Sequence, residues 1–152
     1  MRPRRRRIAG ALACVLFPVS VTGQSRWERQ VGVHVAQASA TLVTSGYVAT
    51  PGGGLGTLNN GETAADTVTL AAGFTYVLVG VCDDDCRGLE LGLFAANGYE
   101  VDAARRAGNA PIVRVTPRET QRFRLVVRMT GCGMNPCWYG VRAFRRSAHR
   151  SP

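Results

Sequence analysis

One run constrains this chain more than any other: Phe74-Thr75-Tyr76-Val77-Leu78-Val79-Gly80-Val81-Cys82, which leads directly into the tight acidic loop Asp83-Asp84-Asp85-Cys86. In an extended strand, successive side chains point to opposite faces. Phe74, Tyr76 and Leu78 fall on one face and Val77, Val79 and Val81 on the other, so both faces are apolar and both must be covered. A strand of that kind belongs at the centre of a sandwich, with the rest of the chain packed around it.

The remaining sequence supplies the partners. Turn signals recur from Asn59-Asn60-Gly61 onward, at Ala72-Gly73, the Cys82 to Cys86 loop, Asn97-Gly98, Gly108-Asn109, Pro117-Arg118-Glu119 and Gly131 to Pro136. Between them lie short apolar runs, which predict strands over 67–70, 74–81, 89–95, 99–102, 112–116, 121–130 and 138–144, a mainly β antiparallel sandwich. Asn97-Gly98 is the best hairpin signal, because a type I′ turn needs positive φ at both central residues. Within 121–130, Phe123, Leu125, Val127 and Met129 face one way and Arg122, Arg124 and Arg128 the other, as in a half-buried strand.

Upstream, Ser25-Arg26-Trp27-Glu28 fits the box in which a Ser hydroxyl and a Glu three residues later satisfy free N–H groups at a helix start. Trp27, Val31, Val35, Ala38 and Leu42 then recur at helical spacing, and Gly46 supplies a stop. The expected organisation is therefore a helical segment over 24–50, a sandwich over 51–145 and a disordered tail over 146–152. Pro51-Gly52-Gly53-Gly54 reads as a flexible hinge between the first two, since no Lys-Ser/Thr follows to make it a phosphate loop.

A chain of 152 residues suits one hydrophobic core. Its first seven residues are dominated by arginine, an interrupted apolar run follows from Ile8 to Val21, and Val21 and Gly23 occupy small-residue cleavage positions. Residues 1–23 are thus expected to be a signal peptide and the mature chain to be secreted or periplasmic. Pro18 breaks the run, which falls short of the ~20 apolar residues of a spanning helix, so no membrane span is expected in the mature chain. Cleavage removes five arginines and leaves 14 against 10 acidic residues, a net charge of +4 where the whole chain carries +9. The basicity belongs largely to the leader, and a nucleic-acid partner is not implied.

Cys14 departs with the leader, and four cysteines in an exported chain point to disulfides. Three pairings are open; the local one, Cys82 with Cys86 and Cys132 with Cys137, is expected because each pair spans a turn. A zinc site built from all four is the alternative, although neither spacing is the usual C-x2-C.

Several stretches together resemble the bacterial pre-peptidase C-terminal domain, in its disulfide-stapled form found in small exported proteins. They are Leu70 to Tyr76, Gly80 to Cys86, Leu89-Glu90-Leu91-Gly92-Leu93-Phe94 with Asn97-Gly98, and Phe123 to Met129 followed by Cys132 to Val141. The resemblance, spanning about Leu55 to Phe144, implies a jelly-roll-like sandwich and an accessory module that binds polymers, proteins or its own enzyme. Where that family tends to read D-L-D-L, this chain has Gly88-Leu89-Glu90-Leu91, with one acidic side chain lost and the other lengthened.

Four sets of residues are candidates for chemistry. Asp83, Asp84 and Asp85 crowd three carboxylates into one ring and are candidate calcium ligands, with a solvated acidic turn as the plainer reading. No other cofactor is expected. His34 and His149 stand without metal-ligand or triad spacing, and a carboxylate pair such as Glu90 with Asp85 is the remaining route to a hydrolase; a non-catalytic protein is expected. Finally, if Val113, Val115, Val141 and Ala143 point inward, Arg114 and Arg142 join Arg122, Arg124 and Arg128 as an outward anion-binding face. Its partner would be an anionic envelope polymer or an acidic protein, the alternative role being an assembly or stability module for a secreted protein such as a peptidase. Trp138 and Phe144 share the parity of Arg142 and would either extend that face or lie beneath the helix.

Overall fold

The computed structural model describes residues 25–106 and 108–147. The expected signal peptide, Cys14 and His149 lie outside the described residues. A helix, α1 (Arg26–Thr44), precedes nine strands: β1 (Val48–Thr50), β2 (Leu55–Leu58), β3 (Thr63–Leu70), β4 (Phe74–Cys82), β5 (Cys86–Ala95), β6 (Glu100–Ala104), β7 (Ile112–Val115), β8 (Gln121–Cys132) and β9 (Cys137–Ser147). They form two antiparallel sheets. One runs β1-β9-β4-β7 with β2 also paired to β9; the other runs β3-β8-β5-β6. Most consecutive strands change sheet, the order of a jelly-roll-like sandwich.

The helix begins where the sequence signals it. Ser25 is the N-cap, its Oγ accepting from the Glu28 backbone N–H at 3.1 Å. At the far end the N–H groups of Ser45 and Tyr47 both reach Leu42 O at 3.0 Å, and Gly46, at φ 79°, turns the chain into β1.

Strand β4 lies between β9 and β7, and its two apolar faces enter two different cores. Tyr76 and Leu78 point between the sheets, joining Leu70, Leu89, Leu91, Leu93, Val113, Phe123, Leu125, Val127 and Met129. Val77, Val79 and Val81 point outward into a second cluster with Val31, Tyr47 and Phe144, flanked by Val35, Ala38, Leu42 and Trp138. The helix is thus the cover that the doubly apolar strand demanded. Each large side chain so buried contributes roughly 1.5–3 kcal/mol of transfer free energy. Trp138 and Phe144 lie beneath α1 and add nothing to an exposed face.

Two expectations are corrected. The glycine run is no hinge: Val141 N–H donates to Gly54 O at 2.7 Å and Ala143 N–H to Gly52 O at 3.3 Å, strapping it to β9 between β1 and β2. Gly53 sits at φ 88°, and a Cβ there would lie 2.3 Å from Val141 O, so only glycine fits. Neither β1 nor β2 carries an alternating pattern to announce it; both exist because β9 offers them an edge. The last strand also outruns its apolar pattern, with Arg146 and Ser147 pairing Thr75 and Phe74. Arg145 lies over the Phe74 ring and Arg146 over the Tyr47 ring, at 4.4 and 4.7 Å from the centroids.

Disulfides join Cys82 to Cys86 and Cys132 to Cys137, with Cα separations of 5.9 and 5.8 Å. Cys86 and Cys132 are direct cross-strand partners in β5 and β8, so the two bridges sit side by side at one end of the sandwich.

Candidate binding face

The outer face of the four-stranded sheet is built by simple alternation. On β8 the even positions Arg122, Arg124 and Arg128 are exposed while Phe123, Leu125, Val127 and Met129 are buried. Register then fixes the neighbours. Thr69 stands beside Arg122, Thr67 beside Arg124, and Thr63 beside Arg128 on β3; on β5, Phe94 lies opposite Arg124 and Glu90 opposite Arg128. Among the described residues none of the three arginines forms a salt bridge, not even Arg128 with Glu90 across the strand pair. Arg124 instead places its guanidinium 5.2 Å from the centroid of Phe94.

Between the two polar rows runs a third made of small side chains: Ala65, Val126, Gly92 and Ala103 pair in sequence across the four strands. The result is a trough perpendicular to the strands, with a recess of about 140 Å³ lined by Thr63, Glu90, Gly92, Phe94, Val126 and Arg128, among others. A Cβ on Gly92 would come within 2.9 Å of the Phe94 ring that leans over it, so a larger residue there would push that ring aside. At the β6 end Arg105 donates to both carboxylate oxygens of Glu100. This pairing holds the Glu100 carboxyl below the usual range and raises the guanidinium, which also feels Glu90.

The five candidate arginines do not share a face. Arg114 on β7 is paired with Val77, and Arg142 on β9 with Val79, so both flank the helix on the outer side of the five-stranded sheet. Alternation correctly assigns each arginine to solvent; it carries no information about which sheet a strand joins. Sequence reasoning also missed Phe94 and the threonines of β3, although Thr63, Thr67 and Thr69 alternate visibly once β3 is known to reach back to Thr63.

A structure search finds a similar fold in the pre-peptidase C-terminal domain of a collagenase from Bacillus anthracis, with a TM-score of 0.47 and 15% identity over 60% of this chain and 87% of that one. No family model matches the sequence, and comparison with curated proteins returns no match.

The acidic loop does not gather its carboxylates. Asp83 is 1% exposed and turns inward, its Oδ2 accepting from Trp138 N–H at 2.7 Å while Oδ1 forms no hydrogen bond among the described residues. Burial, aided by Asp85 and Asp84 and opposed by the backbone N–H groups of Trp138 and Cys86, raises its carboxyl above its ordinary value. Asp84 turns outward to α1, accepting from Gln30 Nε2 at 2.6 Å and lying 3.6 Å from His34 Nε2. Among the described residues no three His, Cys, Asp or Glu side chains form a metal-ligating group.

His34 Nδ1–H donates to Cys82 O at 2.8 Å, which ties the helix to the disulfide loop; among the described residues the imidazole makes no hydrogen bond to a hydroxyl or thiol. Asp102 caps a different seam, its Oδ2 accepting from Arg114 N–H at 2.7 Å where β6 approaches β7. Glu90 lies on the outer sheet face opposite Arg128, and Asp85 lies in the disulfide loop ahead of β5.

Proposed function

We propose that the chain is an exported, non-catalytic accessory domain, stapled by two disulfides, whose four-stranded sheet presents Arg122, Arg124 and Arg128 to an anionic polymer or an acidic protein surface. The observation that carries this reading is the row of three exposed guanidiniums without a carboxylate partner among the described residues. Guanidinium forks match carboxylate, sulfate and phosphate oxygens in pairs, and a solvent-facing row gains most from a multivalent ligand. Export supplies the setting in which all four cysteines oxidise. No helix among the described residues is long and apolar enough to cross a membrane.

Retention of the purified mature chain on carboxylated and sulfated matrices tests the reading. Binding should be salt-sensitive, and Arg122→Gln, Arg124→Gln and Arg128→Gln together should shift elution to clearly lower salt. Elution of both proteins at the same salt concentration refutes it. Intact mass of the secreted protein, with an N-terminus near Gln24, tests export. Docking on a secreted partner protein is a second reading, favoured by Val33, Val43, Val48 and Leu55, which stand 49–58% exposed on α1 and the adjoining short strands.

A further inference from the structure

The trough across the four-stranded sheet defines its ligand more narrowly than the arginine row does. We infer that it is a subsite for one carboxylated pyranose unit, a hexuronate, of an acidic polysaccharide; this rests on the binding-face reading above. The recess of about 140 Å³ is a shallow site for a single ring, too small for a secondary-structure element of a folded partner. Its two walls differ in chemistry. The Phe94 side offers a half-buried aromatic ring, bent over Gly92 and backed by Arg124, against which the C–H face of a sugar packs. The opposite side offers Thr63, Arg128 and Glu90 in one cross-strand row.

That second row reads a ring with two kinds of substituent. The Arg128 fork pairs with a carboxylate, while Glu90, which can only accept, pairs with the hydroxyl groups of a sugar ring and repels any anion set beside it. Glu90 and Arg128 are cross-strand neighbours that leave one another unpaired, so each keeps its capacity for a ligand. One acid per ring with free hydroxyls satisfies both; a heavily sulfated ring sets anions against Glu90, and an acidic peptide supplies no ring for Phe94. Arg122 and Arg124, about 7 Å apart along β8, extend the positive face for neighbouring units of the chain.

Affinity electrophoresis of the mature chain through gels containing polygalacturonate, dextran sulfate, polyglutamate or neutral dextran separates these cases. Expected are strongest retardation by polygalacturonate, none by dextran, an about tenfold loss of polygalacturonate binding in Phe94→Ala, and in Glu90→Gln weaker polygalacturonate but stronger dextran sulfate binding. Arg142→Gln, on the other sheet, should leave polygalacturonate binding unchanged. Thermal unfolding of each variant identifies any that fails to fold; if Phe94→Ala does, Glu90→Gln carries the test alone. Equal retardation by dextran sulfate or polyglutamate with no effect of Phe94→Ala and Glu90→Gln overturns the hexuronate subsite and leaves the general anionic face standing. Retardation by dextran as strong as by polygalacturonate overturns the subsite too, and absence of retardation in every gel overturns both readings.

Discussion

The outer face of the five-stranded sheet and that of the four-stranded sheet are laid down by the same two-residue alternation, yet one is sealed and the other is open. On β4 the outward set is Val77, Val79 and Val81, and α1 lies over it with Val31 fully buried. On β8 the outward set is Arg122, Arg124, Val126 and Arg128, with the three arginines exposed beside Phe94, Glu90 and the threonines of β3. A helix placed on that second face would have to strip water from three guanidiniums, which costs several kcal/mol per unpaired ion. The sandwich therefore has a covered side and an open side, and the side chains between the core positions decide which is which.

The difference should appear most strongly in core truncation. Phe144, 1% exposed beneath α1, should cost about 3–5 kcal/mol when replaced by alanine, as measured by urea unfolding. A loss below about 1 kcal/mol would mean the helix is a loosely held cover and the contrast between faces is weak. Next in size are the staples. Replacing Cys132 and Cys137 by serine together, or Cys82 and Cys86 together, should each remove about 2 kcal/mol by freeing a short loop in the unfolded chain.

Smaller again is the effect of the buried carboxylate at the seam of helix and loop. Because the folded state raises the Asp83 carboxyl above its ordinary 3.8, the group favours folding below that pH and its contribution is lost as pH rises through the raised value. Asp83→Asn keeps an oxygen for the Trp138 N–H and never ionises. It should stabilise the protein at neutral pH by on the order of 1 kcal/mol, with the gain fading toward pH 3. A variant less stable than the parent at neutral pH would show that the charge is better accommodated than its unpartnered Oδ1 suggests. The smallest shift belongs to the open face: each of Arg122→Gln, Arg124→Gln and Arg128→Gln should change stability by no more than about 0.5 kcal/mol while the triple variant loses retention on acidic matrices.

What was legible in the sequence follows from what alternation and turn chemistry encode. The doubly apolar run from Phe74 announced both a sheet-to-sheet core and a separate cover, and Ser25 with Gly46 marked the ends of that cover. Seven strands carry apolar periodicity and were expected near their observed places. The short strands β1 and β2 have none, because their stability comes from the edge of β9 and not from their own side chains. The same limit split the arginine set: Arg114 and Arg142 are exposed as their parity demands, but strand order, a long-range property, puts them across the sandwich from Arg122, Arg124 and Arg128. The trough was invisible for a related reason, since it exists only when Ala65, Val126, Gly92 and Ala103 are aligned from four strands.

The strap of glycines on β9 has a consequence for how the molecule behaves in company. An eleven-residue strand with one open side is a template on which another copy can lay a strand and seed fibrous association. Here that side is occupied by a three-residue strand, a looped glycine segment and a four-residue strand, so the rim offered to a neighbour is broken. Pro51, which has no N–H, begins the interruption, and the left-handed Gly52 and Gly53 keep it from straightening. At high protein concentration the feature that looks like slack in the sequence acts as a guard against self-templating.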